Sequence, residues 1–336
     1  MNKEIACLAG GILTVGLALG ACAAPDDTGA APAATSPTSS DIHAAQWPRT
    51  VEVDGAAVDI PSEPKRIVAV STETADLALQ LAGPDRVAAV SKASQDPAGG
   101  TQAELASQVE VALPAGTDPD PEQILALDPD LVLTTARHGG EKTAGEQLQA
   151  TGVAVLNFSA ETFASPEGVA AATRTLGRAL GEEEKAEELA GRFETSISKL
   201  DEAKVAGAPR FAALMSRGGK VMAMADGQML PGLAARAGGM NAGGAVGITQ
   251  PRPIDAEMLA KMAPEVIFVE DFRGQGLAPF AELLANPALA DIPAVKNQRV
   301  HAIPATDASG VSGLNTDRGY AAIVEALGLA VASYGP

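Results

Sequence analysis

The pattern of apolar and polar residues divides the chain into a short apolar leader, a polar spacer and a long region of mixed α/β character. Residues 5–21 are almost all apolar or small, and residues 23–46 are mostly Ala, Pro, Ser, Thr and Asp. From residue 66 onward, short apolar runs alternate with stretches in which apolar residues recur every three or four positions. Such alternation is typical of parallel α/β sheets. The pattern therefore predicts an α/β protein behind a flexible spacer that has too few large apolar residues to form a core.

The individual runs define the expected elements. Strands are predicted at 66–70, 87–90, 131–135, 153–156, 210–215, 220–224, 266–269 and 299–303. Helices are predicted at 74–81, 121–127, 166–180, 182–204 and 314–332. The helix at 182–204 has its apolar residues on one side, and it stands between two α/β regions that it is expected to connect.

An internal repeat indicates that the two α/β regions are related. Residues 122–133 match residues 257–268 at a constant offset (257 − 122 = 135), and each copy is expected to form a helix, a proline-containing turn and a buried strand. We therefore predict two Rossmann-like lobes, at 48–180 and 207–336, joined by a single long helix at 181–206 with a ligand cleft between them. In open parallel sheets, ligands bind beyond the carboxyl ends of the strands. His138 and Arg273 follow equivalent strands of the repeat, so both are expected to face the cleft.

Cys22 ends the leader in the sequence Leu19-Gly20-Ala21-Cys22. Small residues directly before a cysteine, at the end of a short apolar segment, resemble the lipobox of bacterial lipoproteins. The resemblance implies that residues 1–21 are a signal peptide, that Cys22 is lipidated, and that residues 22–47 tether an extracytoplasmic protein to the membrane. The alternative is a transmembrane helix, but 17 residues span only about 25 Å, less than the roughly 30 Å hydrocarbon core.

Composition limits the remaining classes of function. The formal net charge is −18, which disfavours nucleic acid and anionic lipid as partners. Cys7 lies in the leader, so the region after the spacer has no cysteine for a disulfide or a thiolate metal site. Of three histidines, His43 lies in the spacer, which leaves too few ligands for a direct metal-ion site. No Gly-x-Ser-x-Gly elbow is present, so a surface α/β hydrolase is a weak alternative and no enzyme activity is expected.

Five segments, in their order and spacing, resemble the substrate-binding lipoproteins of bacterial ABC importers for metal chelates (siderophores, cobalamin and haem). These segments are Lys65-Arg-Ile-Val-Ala-Val70, Pro121-Glu-Gln-Ile-Leu-Ala-Leu-Asp-Pro-Asp-Leu-Val-Leu133, Ala237-Gly-Gly-Met-Asn241, Pro264-Glu-Val-Ile-Phe268 and Asn297-Gln-Arg-Val300. The resemblance covers the chain from about residue 64 to the end. It implies a class III periplasmic-binding-protein fold with little hinge motion, and delivery of a chelate to an ABC permease and its ATPase.

The second lobe looks most like the haem-binding members of that family. The matching run is Met215-Ser-Arg-Gly-Gly-Lys-Val-Met-Ala-Met-Ala-Asp-Gly227, followed by Gly238-Gly239. Those members often form a β-hairpin in this run, and some carry an axial tyrosine on the hairpin, opposed by a histidine of the first lobe. Here His138 matches that histidine, while the tyrosine is absent and Met222 and Met224 stand nearby. The resemblance thus implies haem as cargo, with axial ligands from His138, Met222 or Met224 and with Arg137, Arg217 and Arg273 at the haem propionates.

Each of these assignments has an alternative. A ferric siderophore or cobalamin is the other cargo, and His138 alone, or with water, is the other ligation. If these residues have no role in binding, His138 is an exposed loop residue and the methionines are core residues. The arginines are then surface charges, and His301 is a residue of the sheet. For the one acidic docking residue that family members carry on each lobe, the candidates are Glu104 or Glu110 and Asp255 or Glu257, with helix capping as the other interpretation of Glu257.

Overall fold

The computed structural model describes residues 46–332. The predicted signal peptide, lipidation of Cys22, nearly all of the tether, Cys7 and His43 lie outside these residues. Within 46–332, none of the helices has the length and apolar character needed to cross a bilayer.

The first lobe is built on a five-stranded sheet. Its strands, with a preceding hairpin (β1 and β2), are β1 Arg49–Val53, β2 Ala56–Ile60, β3 Ile67–Ala69, β4 Val87–Ser91, β5 Val111–Leu113, β6 Leu131–Thr135 and β7 Val155–Phe158. Its helices are α1 Thr72–Ala82, α2 Ala103–Ala106, α3 Pro121–Leu125, α4 Gly139–Ala150 and α5 Pro166–Leu180. The sheet order is β5-β4-β3-β6-β7 and every pair is parallel, as the apolar runs predict.

The connecting helix α6, Glu183–Glu202, leads into the second lobe. The strands there are β8 Arg210–Arg217, β9 Lys220–Ala223, β10 Met240–Asn241, β11 Arg252–Pro253, β12 Val266–Asp271 and β13 Val300–Pro304. The helices are α7 Met229–Arg236, α8 Ala256–Met262, α9 Ala281–Leu284, α10 Pro293–Lys296, α11 Ala305–Ala308 and α12 Thr316–Ala332. Short 3-10 turns occur at Pro84–Arg86, Lys92–Gln95, Glu161–Phe163, Gly244–Val246, Ala278–Phe280, Pro287–Leu289 and Gly313–Asn315.

The sheet of the second lobe is mixed: the apolar runs predict parallel strands, whereas the family resemblance implies the hairpin that β8 and β9 form. Its order is β11-β9-β8-β12-β13, with β10 beside β8. Strands β8, β12 and β13 are parallel, but β9 pairs antiparallel with β8. Only Gly218 and Gly219 separate β8 from β9, and both have positive φ (58° and 73°). A two-residue glycine turn of this kind can join only antiparallel strands.

The hairpin β1–β2 was not predicted. Its turn is Asp54-Gly55, and both residues have positive φ (49° and 82°). An Asp-Gly pair between alternating apolar residues is a strong hairpin signal, and here Val51, Val53 and Ile60 face the core. The Asp54 carboxylate also accepts the Ser159 N–H at 2.5 Å, which fastens the turn to the end of β7.

The repeat is preserved down to the backbone. Asp120 caps the start of α3 and Asp255 caps the start of α8, at the same offset of 135. Asp128 and Ala263, which are also 135 apart, both turn the chain with positive φ (50° and 42°). For Ala263 this left-handed conformation costs roughly 1 kcal/mol. The helix, turn and buried strand of both copies are confirmed.

One apolar core runs through both lobes. It joins Ile67 of the first sheet and Phe268 of the second to buried residues of the connecting helix, such as Phe193 and Ile197. Two further apolar clusters are present, one on the outer face of each sheet. Because α6 packs into the same core as both sheets, the lobes cannot move apart without exposing apolar surface to water.

A polar hub reinforces this junction. Arg236 of α7 donates to both Asp201 oxygens of α6 at 2.8 and 2.7 Å and also pairs with Glu167 of α5. The hydroxyl of Tyr320, a fully buried residue of α12, donates to Asp201 at 2.8 Å. The hub therefore ties helices of both lobes to the connecting helix. The hydrogen bonds from Arg236 lower the pKa of Asp201 to about 2.

We expect Asp201→Asn to weaken the hub in a pH-dependent way. An unfolded aspartate titrates near 3.9, so the hub contributes stability above about pH 4 and loses it as the pH falls through about 2. Thermal unfolding followed by circular dichroism should show a lower Tm for the variant at pH 6, and the gap should close toward pH 2. The exposed Asp291→Asn is the matched control. A gap that stays constant with pH would contradict this role of Asp201.

Candidate functional site

The carboxyl edges of the two sheets meet at Arg137, which follows β6. Its guanidinium lies against the backbone of Gly310, which follows β13 and α11 in the second lobe. A side chain at Gly310 would begin 3.4 Å from Arg137 Nη1 and 3.8 Å from Glu73 Oε1. The segment after β6 and the segment after α11 therefore face each other across a seam at the carboxyl edge of the first sheet, which is the place that the strand order predicts for a ligand.

Glu73 forms the floor of this seam. It lies in the first turn of α1, its side chain is fully buried, and Arg137 Nη1 is 2.5 Å from its Oε1. Burial raises the pKa of Glu73, and Arg137 opposes that rise. A buried carboxylate with one cationic partner depends strongly on that partner. The charge of Arg137, which was expected at the rim of the site, is thus already paired inside the seam.

Other buried polar groups lie just before α1, within it and at the end of β6. The hydroxyl oxygens of Ser71 and Thr135 are buried and have no hydrogen-bond partner among the described residues. One turn further along α1, the buried Asp76 accepts the Thr101 N–H at 2.6 Å and the Thr101 hydroxyl at 2.8 Å. Burial raises the pKa of Asp76 to about 7. The floor of the seam is therefore polar, and burial is the main cause of the raised pKa values of Glu73 and Asp76.

His138 lies at the solvent-exposed edge of the seam. It is the residue before α4, it has extended backbone (φ −124°, ψ 155°), and it is exposed to solvent. Its backbone N–H donates to Glu141 Oε2 at 3.0 Å, which fixes the start of the helix. An exposed imidazole on a fixed backbone next to the seam is accessible to a ligand. His301, in contrast, lies partly buried in β13, as the alternative interpretation expected.

Arg217 and Arg273 line a pocket at the carboxyl edge of β8 and β12. The pocket has a volume of about 450 Å³, within the range of roughly 300–1,000 Å³ that is usual for small-molecule sites. Arg217 pairs with the buried Glu270 at the end of β12. Arg273 has no ion pair among residues 46–332. The structure thus brings two of the three predicted arginines together, each with a different degree of charge compensation.

Phe272 is adjacent to both arginines and was not predicted. The guanidinium carbon of Arg217 is 4.5 Å from the centroid of its ring and that of Arg273 is 5.7 Å away. The residue is 41% exposed. The sequence offered one signal: Phe272 directly follows the buried strand at 266–269, at the edge where ligands are expected.

The two methionines occupy different environments. Met222 is half-buried and lies opposite Met215 across the hairpin. Met224 is 2% exposed and packs in the core that the lobes share. This burial favours the interpretation of Met224 as a core residue and leaves Met222 as the more accessible sulfur.

The proposed docking carboxylates are on the surface. Glu104 and Glu110 are exposed in the first lobe. In the second lobe, Asp255 caps α8 by accepting the Met258 N–H at 2.8 Å, while Glu257 is paired with Lys261 at 2.8 Å. Capping thus belongs to Asp255 and not to Glu257, because it is the Asp255 carboxylate that reaches the free backbone N–H.

Comparison with known proteins relates the chain to a family. A family model described as "Periplasmic binding protein" matches residues 67–306. Cobalamin-binding proteins from two strains of Halobacterium salinarum are 33% identical over 133 residues, or 39% of this chain. The chain spans about a third (33%) of the length of these curated relatives.

Solved structures share the fold over most of the chain. The apo form of the periplasmic haem-binding protein RhuT from Roseiflexus sp. RS-1 superposes with a TM-score of 0.66 at 23% identity, over 79% of this chain and 98% of its own. The haem-binding protein BhuT, in complex with two haems, gives a TM-score of 0.66 at 24% identity with the same coverage. A periplasmic haem-binding protein from Pseudomonas aeruginosa gives 0.63 at 25% identity, over 78% and 92%. The expected two-lobed fold and the family resemblance are confirmed.

Removing the partner of Glu73 should destabilise the seam. We expect Arg137→Ala to lower the free energy of unfolding by about 3 kcal/mol at pH 8, because it leaves a buried carboxylate without a cation. Because Arg137 lowers the pKa of Glu73, its removal raises that pKa further, so the variant takes up a proton at a higher pH than the wild type and the cost should be smaller at pH 5. Urea unfolding at both pH values measures the difference.

The double variant Glu73→Gln/Arg137→Ala is the control, with Glu73→Gln as its own reference. Without the carboxylate, removal of Arg137 should cost the same at pH 5 and pH 8. If the cost of Arg137→Ala alone is independent of pH, the buried ion pair does not hold the seam.

Proposed function

The chain belongs to the periplasmic binding protein family, and we propose that it captures haem outside the cytoplasm and delivers it to an ABC importer. The observation that carries the proposal is the placement of the accessible His138 beside the seam of one lobe, with a pocket of arginines at the carboxyl edge of the other. Members of this family work outside the cytoplasm and are binding proteins. The haem-binding neighbours described above support the choice of cargo.

His138 is the proposed axial ligand of the haem iron. Imidazole binds iron in its neutral form, which is the common state of histidine at pH 7. Met222 is the proposed second ligand, and a water molecule is the alternative, since a thioether favours reduced iron whereas haem outside a cell is usually ferric. Met224 is left out because its side chain is buried in the core.

The arginines are proposed to hold the propionates. Arg273 offers a charge that has no ion-pair partner in the described part of the chain, while Arg217 offers a guanidinium held in place by Glu270. A fixed guanidinium can donate two parallel hydrogen bonds to one carboxylate. Arg137 keeps its ion pair with Glu73 and supports the floor beneath the iron.

Cobalamin is the second candidate cargo. The observation that favours it is the 33% identity to the cobalamin-binding proteins of Halobacterium salinarum. Cobalamin carries amide side chains where haem has carboxylates, and Arg217 and Arg273 can donate hydrogen bonds to amide oxygens.

Two further features complete the proposal. Cys22 is proposed to carry the lipid that anchors the protein to the outer face of the membrane. For docking on the permease, the repeat suggests Glu122 in α3 as the counterpart of Glu257 in α8, because both are exposed in the first turn of equivalent helices. Glu104 and Glu110 lie outside the repeat and have no such counterpart.

Haemin titration tests the cargo and its ligand. Addition of haemin to the apo protein should give a shifted Soret band, and His138→Ala should weaken the shift and raise the Kd at least about tenfold, since it removes an iron ligand. His301→Asn, a histidine of the same chain outside the seam, should bind like wild type. Without any spectral change in the wild-type protein, the haem assignment would have to be withdrawn.

Charge reversal tests the docking surface. In a reconstituted importer, the double variant Glu122→Lys/Glu257→Lys should reduce stimulation of the ATPase about tenfold through slower association, while haemin binding stays unchanged. Glu282→Lys, an exposed glutamate of α9, is the matched control. Full stimulation by the double variant would move the docking site elsewhere, with Glu104 and Glu110 as the next candidates.

A further inference from the structure

Phe272 stands apart from the other phenylalanines of this chain. The sequence contains seven, and the other six are buried: Phe158, Phe163, Phe193, Phe211, Phe268 and Phe280. Phe272 alone is 41% exposed. A phenyl ring left in water forgoes the free energy of burial. Its exposure at the carboxyl edge of β12, in the wall of the 450 Å³ pocket, therefore suggests that a ligand covers it.

The ring is held in place and does not hang freely into solvent. Arg217 lies over it at 4.5 Å from the centroid, and Arg217 is itself fixed by the buried Glu270. Within the loop that carries Phe272, the Asp271 carboxylate accepts the Gln275 N–H at 2.8 Å and the Arg273 N–H at 3.4 Å. These contacts close the turn that follows β12. Phe272 is thus presented to the pocket on a fixed backbone, with a cation beside it.

We propose that Phe272 is a stacking platform for one face of a flat, conjugated macrocycle whose carboxylates reach Arg217 and Arg273. This inference rests on the proposed function and narrows it: the site selects planar tetrapyrroles over chelates that wrap octahedrally around iron and offer no flat face. Aromatic rings prefer offset stacking on a flat conjugated surface, and guanidinium groups at the edge of the ring match peripheral carboxylates. Phe272 is then a residue that determines specificity, distinct from the iron ligand.

The chemistry separates stacking from coordination. Metal-free protoporphyrin IX has the flat face and the carboxylates of haem but no iron, so His138 cannot coordinate it. Ferric desferrioxamine B has iron wrapped by hydroxamates and no flat face. A stacking residue should affect binding of both porphyrins, whereas ferric desferrioxamine B should bind weakly, and equally so, to wild type and to the Phe272 variants; if wild type bound it as tightly as haemin, the proposed selectivity would be overturned.

The test uses the full chain with four variants and three probes: haemin, metal-free protoporphyrin IX and ferric desferrioxamine B. Phe272→Ala should raise the Kd for both porphyrins about tenfold, and Phe272→Leu about threefold, because leucine keeps apolar contact but loses the ring. Phe272→Trp should bind both porphyrins like wild type, because it keeps a flat aromatic ring. Leu277→Ala is the matched control, because Leu277 is a similarly exposed residue (39%) of the same loop that does not line the pocket.

The outcomes separate this inference from the proposed function. If wild type binds haemin and Phe272→Ala binds both porphyrins equally well, the stacking role is overturned while haem capture stands. If wild type binds neither porphyrin, both fail. A loss shared by Phe272→Ala and Phe272→Trp, or equal weakening of ferric desferrioxamine B, would mean that the residue only supports the loop, and this also overturns the inference.

Discussion

The ion pair between Arg137 and the buried Glu73 is the interaction on which the site depends. It holds the chain that follows β6 down onto the first turn of α1, and it sets the guanidinium against Gly310 of the second lobe. Because Glu73 has no other cationic partner within 4 Å among residues 46–332, the pair and the seam form together. His138 is the next residue in the chain, so its position is a consequence of this packing.

Both lobes have a buried glutamate–arginine ion pair at an equivalent place. Each places a buried glutamate at the carboxyl edge of its sheet and pairs it with an arginine: Glu73 with Arg137, and Glu270 with Arg217. The pairs keep guanidinium donors at the edge without adding net charge, so hydrogen-bond geometry matters more there than long-range attraction. The shared core and the hub around Asp201 hold these edges at a fixed separation, which suits capture by a preformed cleft more than by closure of a hinge.

The hydrophobic pattern and the repeat predict the parallel sheet of the first lobe, the connecting helix and the strand ends that carry His138 and Arg273. The antiparallel return of β9 is not contained in that pattern; it follows from the hairpin that the family resemblance implies, and Gly218 and Gly219 form its turn. Phe272 escapes notice in the sequence because exposure is a tertiary property: a phenylalanine after a buried strand has the composition of a core residue. The partner of Arg137 is likewise hidden, since Glu73 is 64 residues earlier (137 − 73 = 64) and looks like an ordinary first-turn glutamate.

The location of the iron tests the central claim most directly. Crystals grown with haemin and measured at the iron absorption edge should show one anomalous peak in the seam, within bonding distance of the His138 imidazole, with the flat face of the ligand against the pocket of the second lobe. A peak outside the seam, or iron in the seam with the imidazole of His138 turned away, would contradict the account.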